Sequence, residues 1–428
     1  MNKNDYSKAI QNTYIYGYPI MGMYDLLYKQ VLDPATKTTK MNEYLHIAVV
    51  SSPKTTFVPA PNNDTTYSRA WLDLRNEPVI LETPDTKGRY FTIQLCDLFT
   101  DTTANLGKRL YGTEQHRFAI VGPTWKGELK EGLIPIYCNT TIALAFLRIL
   151  INGENDLDEV KELQSQFLAI PYHEYIQRKE NITVGEDLPV CKMETPLEFF
   201  ETLNQVLALT PMLKQDEPIF DEMKTLGVGR NLDLKVLKTI PAEELKKVVD
   251  ETVALIDKKG LTFGENVNYW RIARKDIGVF KTNYLQRSVV WFKGALANVP
   301  EESLYPSTFQ SGDGEYLNGI NKYILHFEPG KLPPVSQFWS LTMYRFSDAM
   351  LTENEINRYS FGDRTKGMIL DDDGGLTITI QHEKPTTEKG KANWLPAPSE
   401  PFYMTLRLYG PSSDAVEGIW TPPAVERI

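Results

Sequence analysis

Short apolar or alternating runs dominate the sequence between residues 47 and 151, and turn-forming residues separate them. Alternation with a period of two, bounded by Pro, Asn, Asp and Gly, is typical of half-buried strands. The longer apolar run at residues 140–151 fits either a strand or a helix. The pattern therefore predicts a β-rich region with strands at residues 71–74, 78–81, 90–95 and 118–121.

Helical periodicity appears at the start of the chain and again after the β-rich region. A leading helix is predicted over residues 5–31, with a kink or break at Gly17 and Pro19, because proline lacks the backbone N–H that a helix uses. In the second helical region, Asp156 and Thr195 are the predicted N-caps. We expect helices there at residues 157–168, 195–209, 217–226, 242–258 and 282–296.

Strands return after about residue 305, and the two β-rich regions follow the same order of parts. Each has a strand, a Pro/Gly turn, an aromatic strand, further strands and a closing strand with one embedded arginine, Arg148 or Arg407. We interpret this echo as a duplicated antiparallel unit, with chance similarity as the alternative. The clearest strands of the second region are predicted at residues 323–327, 338–344, 376–381 and 402–409.

The predicted fold class is therefore α+β, with two antiparallel β-sandwich-like units joined by a helical segment. We expect an N-terminal β-rich domain with its leading helix at residues 1–155 and a helical connecting segment at residues 156–300. A C-terminal β-sandwich domain is expected at residues 301–428. A chain of 428 residues is long enough for two or three domains.

Charge, hydropathy and cysteine content exclude several classes of partner. The net charge is −10 and no basic run occurs, whereas nucleic acids and anionic membrane surfaces need a positive footprint. The N-terminus has no signal-peptide pattern and no stretch approaches 18 apolar residues, so we expect a cytoplasmic or otherwise intracellular protein without a membrane segment. Three cysteines outside any CxxC pair argue against a disulfide scaffold.

Three long stretches of the sequence resemble a known pair of families. They read PNNDTTYSRAWLDLRNEPVILETPDTKGRYFTIQLCDLFTD, PPVSQFWSLTMYRFSDAMLTENEINRYSFGDR, and NWLPAPSEPFYMTLRLYG with the closing WTPPAVERI. They resemble domain-of-unknown-function family 1254 in the N-terminal half and family 1214 in the C-terminal half. The resemblance covers nearly the whole chain. It implies two β-sandwich units with interposed helices, assembled as a homo-oligomer, and it implies no agreed chemistry.

The chain departs from the family pattern at two points. Tyr344 and Arg345 stand where many relatives read Tyr-Asp, which puts any catalytic role of that aspartate in doubt here. Many relatives also carry an export signal. This chain shows none, so the resemblance does not transfer an envelope location to it.

The densest polar cluster, NNDTTYS at residues 62–68, supplies the first candidate site residues. Its Asn63, Asp64 and Tyr67 combine groups that hold a sugar, a carboxylate or a cation, and the alternative is that Asn-Asn-Asp only forms local turns. Asp97 follows an alternating strand, and with Asp64 it forms a candidate carboxylate pair for acid–base catalysis or an oxygen-rich metal site. We predict Asp64, Tyr67 and Asp97 as catalytic and Asn63 as ligand-binding.

Aromatic and cationic residues form a second candidate group. Arg345 and Arg358 follow the aromatic strand that contains Trp339 and Tyr344. Arginine binds carboxylates through two parallel hydrogen bonds, either on a ligand or within the protein. We predict that these four residues, together with Tyr90, bind the ligand, and a purely structural role is the alternative.

The sequence leaves three functions open. It contains no nucleotide or redox-cofactor motif, no GxSxG and no histidine pair at zinc-ligand spacing, so the cofactor and any metal stay unknown. The first function is a hydrolase or lyase that acts on a small polar or carbohydrate-like ligand in a cleft between the halves. The second is a non-catalytic module that binds carbohydrate or a surface component. The third is a structural or assembly protein.

Overall fold

The structure, a computed structural model, describes residues 3–56, 60–178, 182 and 184–428, and it describes side chains from residue 6 onward. Helices and antiparallel sheets are both present, so the α+β class is confirmed. The described helices are α1 (Lys3–Leu27), α2 (Lys108–Tyr111), α3 (Leu157–Gln164), α4 (Tyr172–Tyr175), α5 (Pro196–Ala208), α6 (Glu217–Lys224), α7 (Ala242–Leu261), α8 (Tyr284–Gly294), α9 (Glu388–Ala392) and α10 (Ser413–Glu417).

The front half of the molecule contains two sheets. The five-stranded sheet has the order β1-β2-β8-β4-β5, and the front four-stranded sheet has the order β7-β6-β3-β9. Their strands are β1 (Tyr44–Ile47), β2 (Thr65–Asp73), β3 (Val79–Thr83), β4 (Phe91–Asp97), β5 (Thr102–Gly107), β6 (His116–Val121), β7 (Ile134–Tyr137), β8 (Ile142–Leu150) and β9 (Leu168–Pro171).

The back half also contains two sheets. In the seven-stranded sheet the order is β10-β11-β13-β19-β15-β16 with β12 also on β19, and in the back four-stranded sheet it is β18-β17-β14-β20. Their strands are β10 (Glu265–Val267), β11 (Trp270–Ile272), β12 (Ser303–Leu304), β13 (Ser307–Thr308), β14 (Tyr323–Phe327), β15 (Val335–Arg345), β16 (Ser360–Gly362), β17 (Leu376–Gln381), β18 (Trp394–Pro396), β19 (Phe402–Pro411) and β20 (Val425–Arg427).

Alternating side chains of the two sheets in each half meet in one apolar core. In the front half, Leu72 and Ile93 of the five-stranded sheet share a core with Leu81 and Ile120 of the front four-stranded sheet. The ambiguous run at residues 140–151 forms β8, a strand and not a helix. It lies between β2 and β4, and because helices cover the other face of the sheet, both faces of β8 are buried.

The first helix is continuous through Gly17 and Pro19, so the predicted break there is wrong. It runs through Gly17 and Pro19 as one element and ends in a short π-helical turn. Its buried side chains share a core with α5, α6 and α7 and with Trp71 of the five-stranded sheet. We attribute the continuity to this packing, since burial on several sides offsets the single hydrogen bond that Pro19 cannot make.

The predicted N-caps had different outcomes. Thr195 forms a complete capping box with Glu198, as predicted. Asp156 makes no capping bond, because its carboxylate accepts two hydrogen bonds from Arg89, at 2.6 and 2.9 Å. An arginine with good two-point geometry displaced a local interaction that the sequence alone favoured.

Segment 156–300 contains helices α3 to α8, but it also supplies strands to both halves. Strand β9 pairs with β3 in the front half, and β11 pairs with β13 in the back half. The domain limits at residues 155 and 300 therefore stay a prediction. In the part of the chain that the structure describes, no helix is long and apolar enough to span a bilayer.

Candidate functional site

A large open cleft lies between the front and back halves. It has a volume of about 1300 Å³. Its front wall comes from residues 50–54, 63–64 and 151–155, and its back wall comes from residues 339–340 and from parts of 353–366. The two walls thus come from parts of the sequence that are far apart, as expected for a ligand site at a boundary between units.

Asp64 is the buried acid of this cleft. It stands at the start of β2, its exposed fraction is 2%, and its Oδ1 accepts a hydrogen bond from Nη2 of Arg364 at 2.6 Å. Its Oδ2 accepts a hydrogen bond from the hydroxyl of Ser340 on β15. Nη1 of Arg364 also donates to Oδ1 of Asn152, at 3.1 Å. The carboxylate is therefore neutralised by a cation from the opposite half, and both its oxygens have partners.

Asn62 holds the segment that carries Asp64. Its Oδ1 accepts a hydrogen bond from the backbone N–H of Asp64 at 2.8 Å, which is an Asx turn. Its Nδ2 donates to the hydroxyls of Thr65, Tyr67 and Tyr409 at 2.9–3.0 Å. The Asn-Asn-Asp segment thus forms the local turn that was the alternative interpretation. The same turn also positions Asp64 for its contacts with Ser340 and Arg364 of the back half.

Asn63 also forms a hydrogen bond across the cleft, but here the donor belongs to the front half and the acceptor to the back half. Its Nδ2 donates to the hydroxyl of Ser360 on β16 at 3.1 Å. Its Oδ1 is buried and has no hydrogen-bond partner among the described atoms. An unpaired buried acceptor is energetically costly, so this oxygen is the unsatisfied polar atom of the cleft wall that Asn63 forms.

A buried polar layer supports the floor of the cleft. Arg407 on β19 donates to the hydroxyls of Thr342 at 2.8 Å and Tyr344 at 2.7 Å. The hydroxyl of Tyr344 in turn donates to the carbonyl of Pro61 at 2.9 Å. Burial raises the pKa of Tyr344 above its usual value, so this phenol stays neutral. Tyr344 is thus a structural link between Arg407 and the Asp64 segment, and it does not line the cleft.

The structure brings some of the predicted site residues together and leaves others apart. Asn63, Asp64 and Trp339 line the cleft, and Tyr67 lies behind it, hydrogen-bonded to Asn62. The hydroxyl of Tyr90 donates to Oε1 of Glu302 at 2.8 Å, away from the cleft wall.

Neither of the predicted arginines reaches the cleft. Arg345 forms a two-point ion pair with Asp348 on the surface, at 2.6 and 3.1 Å. Arg358 donates to the backbone carbonyls of Ala392 and Trp394, at 2.9 and 2.8 Å. Both guanidinium groups therefore have hydrogen-bond partners within the protein. The arginine that lines the cleft is Arg364.

Asp97 and Asp64 do not form a carboxylate pair. Asp97 lies opposite Ala143 at one end of β8, whereas the carbonyl of Asp64 binds the N–H of Ile151 beyond the other end. The two levels differ by eight residues, roughly 26 Å at about 3.3 Å per residue. Antiparallel pairing places the C-terminal end of β4 far from the N-terminal end of β2, a separation that spacing in sequence does not show.

Asp97 instead belongs to a buried turn beneath the helices. Its Oδ1 accepts hydrogen bonds from the backbone N–H groups of Phe99 at 2.9 Å and Asp101 at 3.0 Å. Its Oδ2 has no partner among the described atoms. Burial, assisted by the charge of Asp101, raises the pKa of Asp97 well above its usual value of 3.8.

Replacing Asp97 by asparagine is expected to remove part of the pH dependence of the free energy of unfolding. The folded state binds this proton more tightly than the unfolded chain does. Its contribution to stability is therefore full at low pH and falls as the pH rises from the unfolded pKa towards the higher folded pKa. Each tenfold difference in proton affinity is worth about 1.4 kcal/mol. Urea unfolding across this pH range measures the loss.

Asp348→Asn is the control for this experiment. Arg345 lowers the pKa of Asp348, so removal of that carboxylate changes the pH dependence slightly and with the opposite sign. If Asp97→Asn and the wild-type protein showed the same slope of stability against pH, the protonated state of buried Asp97 would be contradicted.

Sequence reasoning missed much of the back wall. Ser340, Ser360 and Asn357 line the cleft, yet each lies in a stretch that reads as an ordinary strand or loop. The usable signal was Gly-Asp-Arg at the end of the second family-like stretch, because Arg364 there is the residue that reaches Asp64. As for metals, no group of three or more His, Cys, Asp or Glu side chains within the described residues is placed to hold an ion.

Two family models match the chain. Residues 41–171 match the model of DUF1254 and residues 302–413 match the model of DUF1214, and each family is described as a protein of unknown function. The chain carries a DUF1254 domain followed by a DUF1214 domain. Asp64 lies in the DUF1254 domain and Arg364 in the DUF1214 domain, so the ion pair of the cleft joins the two.

A solved structure resembles the DUF1254–DUF1214 chain over nearly its whole length. The VPA0106 protein from Vibrio parahaemolyticus is 24% identical, with a TM-score of 0.78 over 99% of each chain, which shows a shared fold. An uncharacterised protein from Burkholderia cenocepacia is 13% identical, with a TM-score of 0.47 over 97% of this chain and 87% of that one. A search of curated proteins gave no match.

Proposed function

We propose that the DUF1254–DUF1214 chain binds a small, uncharged, carbohydrate-like ligand in the cleft between two β-sandwich-like units. The observation that carries the proposal is the lining of the cleft, which is rich in side-chain amides and hydroxyls around one buried ion pair. Amides and carboxylates offer adjacent donors and acceptors, and neighbouring hydroxyls of a sugar pair with such groups. The asparagines of the lining are Asn63, Asn152, Asn155, Asn354 and Asn357.

The charges that line the cleft favour a neutral ligand. Cationic and anionic side chains are equal in number, so the cleft has no strong potential of either sign. A polyanionic ligand would need an excess of lysine and arginine. The cations are Lys54, Arg364 and Lys366, and the anions are Asp64, Glu154 and Glu353.

Aromatic surface at the cleft supports the same class of ligand. Tyr359 contributes a partly exposed ring to the lining, whereas the ring of Trp339 is buried in the core of the back half and offers no stacking face. A sugar ring has an apolar face that packs on aromatic rings while its hydroxyls take hydrogen bonds. The combination of aromatic, amide and carboxylate groups suits a molecule that is polar at its edge and less polar on its face.

Replacing Asn63 by alanine is expected to weaken binding of the ligand about tenfold or more, since the site then loses an amide donor and acceptor. Calorimetric titration with a panel of neutral mono- and disaccharides, inositol and uronic acids measures the affinity. Asn321→Ala is the matched control, because Asn321 is also partly buried and hydrogen-bonded but lies outside the cleft. Failure of the wild-type protein to bind any neutral compound of the panel would overturn the proposal.

Hydrolysis of the bound ligand is a second candidate function. The hydroxyl of Ser340 donates to Asp64, as a nucleophile does to its base. In such a step the Ser340 oxygen bonds to the electrophilic carbon while the bond from that carbon to the leaving group breaks, and Asp64 passes the Ser340 proton to the leaving group. Water then attacks the same carbon, its bond to Ser340 breaks, and Asp64 returns a proton from the water to the Ser340 oxygen. Arg364 opposes this role, because its guanidinium group already holds Oδ1 of the same carboxylate at 2.6 Å. Product formation, followed by NMR in the titrated samples, separates hydrolysis from simple binding.

A further inference from the structure

The sheets of the two halves correspond strand by strand. The five-stranded sheet has the core order β2-β8-β4-β5, and the seven-stranded sheet has the core order β13-β19-β15-β16. In the four-stranded sheets, β7-β6-β3-β9 corresponds to β18-β17-β14-β20. The outer pair is parallel in both, β6 with β7 and β17 with β18, while the other pairs are antiparallel. Chance similarity rarely reproduces both the order and the direction of strands.

Strand register extends this correspondence to single residues. In each half, one hydroxyl residue lies opposite an arginine on one neighbouring strand and opposite a glycine on the other. A Cβ on either glycine would overlap the same backbone region of the neighbouring strand. The matched positions are Thr92 with Ser340, Arg148 with Arg407, and Gly107 with Gly362.

The same register makes Asp64 the counterpart of Glu302. Thr65 lies opposite Leu150 and Ser303 lies opposite Tyr409, at equivalent levels of β8 and β19. The carbonyl of the preceding acid then accepts a hydrogen bond at 2.9 Å in both halves, from Ile151 to Asp64 and from Gly410 to Glu302. Each acid is almost fully buried, with exposed fractions of 2% and 1%.

Two equivalent ion pairs therefore cross between the halves. Arg364 lies two residues after Gly362 and binds Asp64, and Arg109 lies two residues after Gly107 and binds Glu302, at 2.6 and 2.5 Å. The acid of each half is neutralised by the arginine of the other. Such an exchange is what an approximate twofold axis between two copies produces.

The two equivalent sites differ in the size of the side chains at and around the carboxylate. On the Glu302 side, the hydroxyl of Tyr90 donates to the carboxylate, and neither residue lines the large cleft. On the Asp64 side, the position of Tyr90 is taken by Phe338, which stands next to Trp339 as Tyr90 stands next to Phe91. The Asp64 site has the smaller side chain at all three positions, with Asp64 in place of Glu302, Phe338 in place of Tyr90 and Ser340 in place of Thr92. Asp64 and Ser340 line the cleft, and Phe338 lies against Arg364.

We infer that the ligand cleft is the opened member of two equivalent acid–arginine sites, and that Asp64, Phe338 and Ser340 are the residues that keep it open for a ligand. The inference rests on the proposed function for the ligand itself. The closed member, with Glu302 and Arg109, acts as a permanent link between the halves. A shortened acid and a missing phenol hydroxyl leave room, and each oxygen of the Asp64 carboxylate, which has one partner, can accept a second hydrogen bond from a sugar hydroxyl.

The triple variant Asp64→Glu/Phe338→Tyr/Ser340→Thr tests the inference, because it places the three residue types of the closed site at the equivalent positions of the open site. It is expected to keep the thermal stability of the wild-type protein and to bind the best saccharide of the panel about tenfold or more weakly. Its crystal structure is expected to show the phenol at position 338 hydrogen-bonded to the carboxylate at position 64. The control Glu302→Asp/Thr92→Ser is expected to leave saccharide affinity unchanged.

The possible failures can be told apart. Wild-type affinity in the triple variant, or a crystal structure without the phenol–carboxylate bond, would overturn the inference while the proposed function stood. If the wild-type protein bound no saccharide, the proposed function would fail. The crystal structure of the triple variant would then decide by itself whether the two acid–arginine sites are equivalent. If the triple variant did not fold, the same two measurements on Phe338→Tyr would decide, with an affinity loss and a new hydrogen bond as the supporting results.

Discussion

Arg364→Gln is expected to lower the free energy of unfolding by about 3 kcal/mol, since it leaves the buried carboxylate of Asp64 without its cation. The value lies at the lower end for buried pairs because the Arg364 side chain keeps an exposed fraction of 28% and its charge is partly screened. The double variant Asp64→Asn/Arg364→Gln removes both charges and is expected to regain most of the loss. Guanidinium unfolding of the single and double variants measures both effects.

Arg345→Gln is the matched control for this pair. Arg345 forms an ion pair with Asp348 of the same length, 2.6 Å, but both side chains are substantially exposed. Exposed pairs contribute about 0–1 kcal/mol, so little loss is expected. Equal losses for Arg364→Gln and Arg345→Gln, or no recovery in the double variant, would contradict a buried, coupled ion pair across the cleft.

Gly362→Ala is expected to cost about 2–3 kcal/mol and to weaken ligand binding as well. A Cβ at this position would overlap the carbonyl oxygen of Trp339, which is backbone and cannot rotate away. Edge strand β16 must therefore move off β15. Arg364 follows two residues later, so its contact with Asp64 moves with the strand. Unfolding experiments and saccharide titrations on the same preparation measure both effects.

The control for this substitution is Gly294→Ala at the end of α8. No heavy atom lies within 4 Å of a Cβ built there, and the glycine sits in a helix, so the change is expected to be neutral or slightly stabilising. A Gly362→Ala protein with wild-type stability and wild-type affinity would show that β16 does not hold Arg364 in place.

Local pattern was sufficient for most of the longer strands in both halves, but not for the short strands. The run 323–327 alternates cleanly and forms β14 at those residues, because one face of that strand is buried and the other is partly exposed. The run 140–151 carried no such alternation, since burial on both faces of β8 removes the polar positions that mark a strand. Hydrophobic periodicity depends on how many faces of a strand are buried. This explains why β14 was predicted correctly and why the run that forms β8 stayed ambiguous.

The sequence predicted which kinds of residue form the candidate site more reliably than it predicted which residues contact one another. The cluster at residues 62–68 does carry the buried acid of the cleft, because a run of Asn and Asp at a strand entry both turns the chain and presents carboxylates. Asp97 has the same local appearance but lies under the helices. Of the arginines that follow the aromatic strand, only Arg364 reaches Asp64, and this depends on the path of the loop after β15.

By itself, the sequence determined the α+β class, the position of most of the longer strands, the order of parts with Arg148 and Arg407, and the polar cluster around Asp64. These follow from spacing along the chain, which sets which side chains share a face. Only the tertiary structure decided that Asp64 pairs with Arg364, 300 residues away, and that Glu302 pairs with Arg109. Such partners meet because two halves pack together, and the geometry of that packing is set by whole sheets and not by any local pattern.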